Sequence, residues 1–172
     1  KSTVVNLLMR FYEPTSGRIT LDGVDIREFR LEALRARIGL VLQDIHLFPG
    51  TVGDNLRVFN DGIPDQDLDR AVAIVQAEDT MSRLPDGYDT RLSEGGQNLS
   101  MGQRQLISFA RALVRDPHIL VLDEATSSVD PGTETLIRQS MDRMLKDRTS
   151  IIVAHRLSTI TASDRIFVLH RG

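Results

Sequence analysis

The stretch that decides the fold is ILVLDE at residues 119–124, in which four apolar residues precede Asp123 and Glu124. An apolar run of this length is typical of a strand that is buried on both faces inside a parallel sheet. Ligands of α/β folds bind at the edge of the sheet where such strands end. We therefore predict a buried strand that carries two carboxylates to a binding site. The stretch alone also fits a plain strand followed by a helix-capping aspartate.

Other apolar runs predict further strands of the same sheet. They cover residues 38–42, 150–154 and 165–169. A helix is predicted over residues 131–145, since Asp130 is a good N-cap and Pro131 suits the first helical position. The order strand, helix, strand predicts an α/β fold with a parallel sheet.

Polar residues stand directly after two of these predicted strands. Gln43 follows the run at 38–42, and His155 follows the run at 150–154. If the strands are parallel neighbours, both side chains lie at the same edge as Asp123 and Glu124. A histidine or glutamine at a strand end is more often an ordinary surface residue, so the strand pattern by itself leaves both interpretations open.

The rest of the chain predicts an antiparallel portion and a helical insert. Residues 2–11 have a helical pattern, and residues 19–26 alternate about the turn dipeptide Asp22-Gly23. From Pro64 the apolar spacing is helical. We predict an α/β core made of residues 1–52 and 117–172, with a mostly helical subdomain at 53–116.

The sequence LSMGQ at residues 99–103 predicts the start of a helix. Ser100 and Gln103 have the spacing of a capping box, and Asp116-Pro117 stops the helix. Ser100 offers a hydroxyl, Gly102 allows close approach of the backbone, and the helix dipole favours an anion at this end. An ordinary capping box is the alternative for this motif alone.

The first three residues match the end of a phosphate-binding loop. In the pattern G-x-x-x-x-G-K-[ST] the lysine meets phosphate oxygens and the next hydroxyl binds Mg²⁺. Lys1, Ser2 and Thr3 fit only the last positions of that pattern. The match carries weight only through the downstream motifs.

Composition excludes several classes of protein. The net charge is −3, which gives no basic footprint for nucleic acid, and the absence of cysteine excludes disulfides and thiolate metal sites. No apolar run approaches the roughly 18 residues of a membrane span, so we expect the piece itself to be soluble. The chain begins inside a motif and stops after an apolar run, and we expect both ends to be cut.

Taken together, these motifs resemble the nucleotide-binding domain of ATP-binding cassette (ABC) proteins, over nearly the whole chain. The resemblance implies a P-loop NTPase (RecA-like) core with a mostly parallel sheet, an N-terminal antiparallel portion and an inserted helical subdomain. Its elements would be the end of Walker A at residues 1–3, the Q-loop at Gln43, the signature at 99–103, Walker B at 119–124, the D-loop at 127–130 and the switch histidine at His155.

The resemblance also implies cofactors and roles. ATP and Mg²⁺ would bind, and two such domains would hold two ATP molecules head to tail, with each signature touching the partner's ATP. The catalytic residues would be Glu124, His155 and Gln43. Nucleotide would be bound by Lys1, Ser2, Thr3, Ser100, Gly102, Gln103 and Asp130, and Mg²⁺ by Ser2, Gln43 and Asp123.

Several segments resemble the exporter branch of the family, namely residues 11–17, 22–26, 41–44 and 47–52, and Glu94-Gly95-Gly96 is similar to the exporter X-loop. This implies an ATPase at the cytoplasmic face of a membrane that powers export. Its partners would be transmembrane domains, fused upstream, and a second identical or paralogous nucleotide-binding domain, but no nucleic acid. A non-transport ABC ATPase and a degenerate regulatory module with low hydrolysis are the alternatives.

Two features depart from the family pattern. Met101 stands where the usual signature has glycine, and a positive φ there would cost on the order of 1 kcal/mol. We therefore expect reduced turnover. The glycine-rich cradle that precedes Lys1 in the family is not in the given sequence, so we expect this chain alone to bind Mg-ATP weakly and to be inactive.

Overall fold

A computed structural model describes residues 2–123, 131–153 and 163–169 of the chain. The helices are α1 (Ser2–Leu8), α2 (Leu31–Ala36), α3 (Val52–Arg57), α4 (Asp65–Ile74), α5 (Glu78–Ser82), α6 (Met101–Leu113) and α7 (Pro131–Leu145). The strands are β1 (Thr20–Leu21), β2 (Val24–Asp25), β3 (Ile38–Val41), β4 (Gly50–Thr51), β5 (Arg91–Leu92), β6 (Ile119–Asp123) and β7 (Thr149–Val153). Short 3-10 turns cover Ile26–Glu28, Gly87–Asp89 and Glu94–Gly96.

The central sheet is parallel, as the sequence predicts, with the strand order β3-β6-β7. Strand β6 lies in the middle, where Leu122 pairs with Val41 of β3 and Ile152 of β7. Leu120, Val121 and Leu122 are fully buried. The apolar run therefore forms the predicted interior strand, and it ends at Asp123.

Two hydrophobic clusters cover the two faces of this sheet. Successive side chains of a strand point to opposite faces. Leu120 and Leu122 pack into the larger cluster with α3 to α7, and Val121 packs into the smaller cluster with α1 and α2. The larger cluster is continuous from the sheet into the helices, so the division at residues 53–116 stays a prediction.

The antiparallel portion forms where the turn dipeptide predicts it. Strands β1 and β2 pair around Asp22-Gly23, and both turn residues have positive φ, 51° and 83°. Glycine adopts this conformation at no steric cost, and aspartate tolerates it. A second antiparallel pair, β4 with β5, joins the start of α3 to the segment before α6.

The predicted helical face from Pro64 onward is confirmed. Leu68, Ala71 and Val75 are fully buried and Val72 is nearly so. Helix α4 packs on α6 through this face. No helix among the described residues is both long and apolar enough to cross a membrane.

Two sequence expectations differ from the structure. Residues 165–169 form no strand, and Phe167 and Val168 are 84% and 87% exposed. A strand needs a partner for its backbone groups, and no described strand pairs with this segment. Helix α1 ends at Leu8 rather than at residue 11, because Arg10 is left-handed and the Phe11 amide bonds back to the Asn6 carbonyl.

Candidate functional site

The candidate site begins at the carboxyl edge of the parallel sheet. Asp123 ends β6 and is partly exposed, although the strand before it is buried. Because Val41 pairs with Leu122, the chain leaving β3 reaches Gln43 just beyond the level of Asp123. Gln43 is exposed at this edge. The register therefore brings two of the predicted site residues to one edge.

The other predicted residues of this site are described only in part. Ser2 begins α1, which packs on the smaller cluster through Val5, and Thr3 is exposed in its first turn. Lys1, Glu124, Asp130 and His155 lie outside the described residues, so their roles stay predictions.

Two of the residues at this edge have oxygen atoms of the kind that Mg²⁺ accepts. They are the carboxylate of Asp123 and the side-chain amide of Gln43, and nucleotide sites supply further ligands from water and phosphate. No group of three or more histidine, cysteine or acidic residues in the described parts could hold a metal.

The start of α6 is the predicted capping box. The Ser100 hydroxyl oxygen accepts a hydrogen bond from the Gln103 amide at 3.2 Å, and the Gln103 Oε1 accepts one from the Ser100 amide at 2.8 Å. Ser100 is exposed, whereas Leu99 before it is 5% exposed. The side chain of Gln103 is therefore committed to the cap, and the hydroxyl of Ser100 still has its proton to donate.

The expected backbone strain at Met101 is absent. Met101 is the first residue of α6 and is not among the residues with positive φ. The first helical position has ordinary right-handed geometry, which any L-residue adopts. Its side chain is 40% exposed, with Sδ 3.9 Å from Nη2 of Arg104. The strain given as the reason for reduced turnover does not apply.

The segment that follows Gln43 is held by a residue that the sequence analysis did not single out. Asn55 of α3 is fully buried. Its Oδ1 accepts from the Phe48 amide at 2.7 Å, and its Nδ2 donates to the carbonyls of Phe48 and Thr51, at 2.9 Å each. The sequence carries no signal for this role, because Asn55 lies among the polar residues of VGDNLR at 52–57 and its partners are set by the fold.

A second unrecognised residue joins the same segment to α6. Arg111 Nη1 donates to the His46 carbonyl at 2.8 Å, and its guanidinium carbon lies 5.8 Å from the centre of the Phe48 ring. Burial lowers the pKa of Arg111, which nevertheless stays charged at neutral pH. The helix that begins with the capping box therefore also fixes the segment after Gln43.

The glycine pair resembling an X-loop packs on this segment as well. Gly96 has a φ of 69°, and a Cβ there would lie 2.7 Å from Cδ1 of Leu47. Leu47 is 6% exposed. Glycine at this position thus meets both a conformational and a spatial requirement.

Comparison with known proteins gives consistent matches. The family model described as ABC transporter matches residues 1–127. An uncharacterised ABC transporter ATP-binding protein of Bacillus subtilis is 48% identical over 100% of this chain, which spans 28% of that protein. A fatty acid ABC transporter ATP-binding/permease protein of Mycobacterium bovis is 49% identical over 100% of this chain, which spans 27% of that protein.

A solved structure matches at the level of the whole fold. It is that of a bacterial Atm1-family ABC exporter with ATP bound, with a TM-score of 0.83 and 45% sequence identity. The match covers 95% of this chain and 29% of that one. The chain therefore spans less than a third of the length of each of these proteins.

Proposed function

This chain belongs to the ABC transporter family, and we propose that it binds and hydrolyses ATP to drive export across a membrane, as the nucleotide-binding part of a longer polypeptide. The observation that carries the proposal is the parallel register of β3 and β6, which brings Gln43 and Asp123 to one edge of the sheet. The fold is that of a P-loop NTPase core, which the exporter structure shares.

The residues of the chain's own ATP site divide into three roles. Lys1 and Thr3 bind phosphate oxygens, and Ser2, Gln43 and Asp123 hold the magnesium ion through oxygen atoms. When bound, Mg²⁺ neutralises charge on the phosphates. Glu124 orients and polarises the attacking water, and His155 contacts the terminal phosphate. In phosphoryl transfer this positioning matters more than covalent chemistry by the protein.

A second set of residues serves the ATP of a second nucleotide-binding domain. Ser100 is exposed at the start of α6, and its hydroxyl proton can be donated to a phosphate oxygen. The Gln103 side chain acts through the cap, and Gly102 and Asp130 complete the set. The two domains pair head to tail, so each active site needs both sets of residues, one from each domain.

The relatives support a proposal for location and partners. The Mycobacterium bovis relative is named as an ATP-binding/permease protein. The corresponding proposal for this chain is a place at the cytoplasmic face of a membrane, coupled to fused transmembrane segments.

The test is the variant Glu124→Gln in the full-length polypeptide. Glutamine keeps the size of the side chain and cannot accept a proton from water, so we expect ATP to bind normally and hydrolysis to fall at least 100-fold, about 2.7 kcal/mol of transition-state stabilisation. The readouts are phosphate release and equilibrium binding of ATP. Near-normal turnover would remove Glu124 from this role.

The matched control is Glu28→Gln. Glu28 is exposed on the 3-10 turn Ile26–Glu28, beside the smaller cluster and away from the sheet edge. The Glu28→Gln variant should hydrolyse ATP at the unmodified rate.

A further inference from the structure

The first turns of α6 and α7 touch at a glycine. Gly102 is the second residue of α6 and is buried. A Cβ built there would overlap the Cγ2 methyl of Thr133, the third residue of α7, whereas the Cβ and Oγ1 of Thr133 lie 3.6 and 3.7 Å away. The φ of Gly102 is not positive. The structure therefore requires glycine here for space, not for backbone conformation.

Both helices are anchored beyond this contact. Helix α6 is buried through residues such as Phe109, and α7 through Ile137. The Ser140 hydroxyl of α7 also donates to the Val75 carbonyl at 2.5 Å. Because both helices are packed beyond this point, a side chain at position 102 would have to displace either the first turn of α6 or the side chain of Thr133.

The contact joins two parts of the proposed mechanism. The first turn of α6 carries Ser100, which would serve the ATP of a second domain. Helix α7 begins directly after residues 124–130, which carry Glu124 and Asp130 and would serve this domain's own ATP and the dimer contact. The contact therefore links the first turn of α6 to the start of the helix that follows residues 124–130 in the chain.

We infer that Thr133 is a positioning residue for the signature motif, and that glycine at 102 is required by this packing inside the domain rather than by the approach of the partner's nucleotide. The inference rests on the proposed function. Threonine suits the role because branching at Cβ limits its methyl to two χ1 positions in a helix, and the one adopted here faces Gly102.

Three variants of the full-length polypeptide test this: Gly102→Ala, Thr133→Ser and the two combined. Thr133→Ser removes only the overlapping methyl and keeps the hydroxyl. We expect Gly102→Ala to lower kcat for ATP hydrolysis at least tenfold. The added Thr133→Ser should bring kcat back to within threefold of Thr133→Ser alone. A combined variant that stays as slow as Gly102→Ala would place the requirement at the partner's nucleotide and overturn the inference.

A second pair of measurements separates positioning from folding. The equilibrium Kd for ATP should return toward the unmodified value together with kcat in the combined variant, because Gly102 belongs to the set that serves the ATP of the second domain. The unfolding midpoint of Gly102→Ala should fall measurably but stay above the assay temperature, since alanine's higher helix propensity offsets part of the overlap. A loss of kcat that merely follows a loss of folded protein would contradict a positioning role.

If Gly102→Ala does not fold, the combined variant still tests the inference. Recovery of folded, active protein in the combined variant would then support the inference, and no recovery would overturn it. Failure of the proposed function is seen separately, as an unmodified polypeptide that does not hydrolyse ATP. In that case the unfolding midpoints of the three variants still report whether the methyl and the glycine pack together.

Discussion

Single residues on α3 and α6 determine the shape of the segment behind the candidate site. Asn55 satisfies both backbone groups of Phe48, and Arg111 binds the carbonyl two residues earlier. Each replaces hydrogen bonds that a strand or a helix would otherwise provide. The chain after Gln43 can therefore be irregular and partly buried without leaving these polar groups unpaired.

Asn55→Asp should be more damaging than Asn55→Ala. Alanine loses three hydrogen bonds and leaves buried partners unsatisfied, at a cost of about 2–4 kcal/mol. Aspartate keeps the acceptor for the Phe48 amide but places a carboxylate oxygen against the carbonyl oxygens of Phe48 and Thr51, so its cost should exceed that of alanine by about 1 kcal/mol or more. Urea unfolding measures both.

Asn60→Ala is the matched control for Asn55. Asn60 is exposed and its side chain accepts one hydrogen bond, from the Gly62 amide. Its loss should cost less than about 1 kcal/mol. Equal losses at the two asparagines would contradict the role assigned to burial.

At this scale the sequence reveals local contacts and misses distant ones. The capping box could be predicted because Ser100 and Gln103 are three residues apart and form their bonds within one turn. Arg111 and His46 are 65 residues apart. Nothing in the neighbourhood of Arg111 distinguishes it from an ordinary helical arginine, so its partner had to come from the fold.

At the scale of elements, helix ends show where the chain tolerates strain. Helix α3 ends at Arg57, and its C-cap residue Val58 has a φ of 51°, followed by Phe59 with 55°. A β-branched residue rarely adopts this left-handed conformation, for which glycine is the usual choice. The ring of Phe59 packs edge-on against that of Phe48, whereas Val58 is 51% exposed and its burial offers little compensation.

Val58→Gly should therefore stabilise the domain. Removing the Cβ relieves about 1 kcal/mol of left-handed strain, less the entropy that glycine loses on folding. Val58→Ala is the control, because alanine keeps the Cβ and should give little or no gain. The unfolding midpoint decides: a glycine variant no more stable than the alanine variant would mean that Val58 is not strained.

At the scale of the whole molecule, the alternation of β6 explains why the fold could be predicted. Leu120 and Leu122 face one cluster and Val121 faces the other, so a continuous apolar run indicates a sheet covered on both faces. The same reasoning failed at residues 165–169, because an apolar run reveals a preference for burial but not whether a neighbouring strand pairs with it.

An ion pair between the loop before β6 and the loop before β7 predicts how the stability of the molecule depends on pH. Arg148 binds Asp116 at 2.8 Å and the carbonyls of Pro117 and Met144 at 3.2 Å each. The hydrogen bond from Arg148 lowers the pKa of Asp116 below its ordinary value of 3.8. A carboxylate whose pKa is lowered by folding stabilises the folded state at pH values above its ordinary pKa. This contribution is lost as the pH falls through the lowered pKa of the folded state.

Asp116→Asn should consequently lower stability at pH 7 by about 0.2–1 kcal/mol, the range for a solvent-exposed pair. Asparagine tolerates the left-handed φ of 47° at this position, so the backbone should not contribute. The difference from the unmodified domain should shrink as the pH falls below about 4 and be lost as the pH passes through the lowered folded pKa of Asp116. Asp61→Asn, at an exposed aspartate with no ion pair among the described residues, should show no difference across the same titration. A deficit in Asp116→Asn that does not shrink at all as the pH is lowered would mean that the ion pair is not its cause.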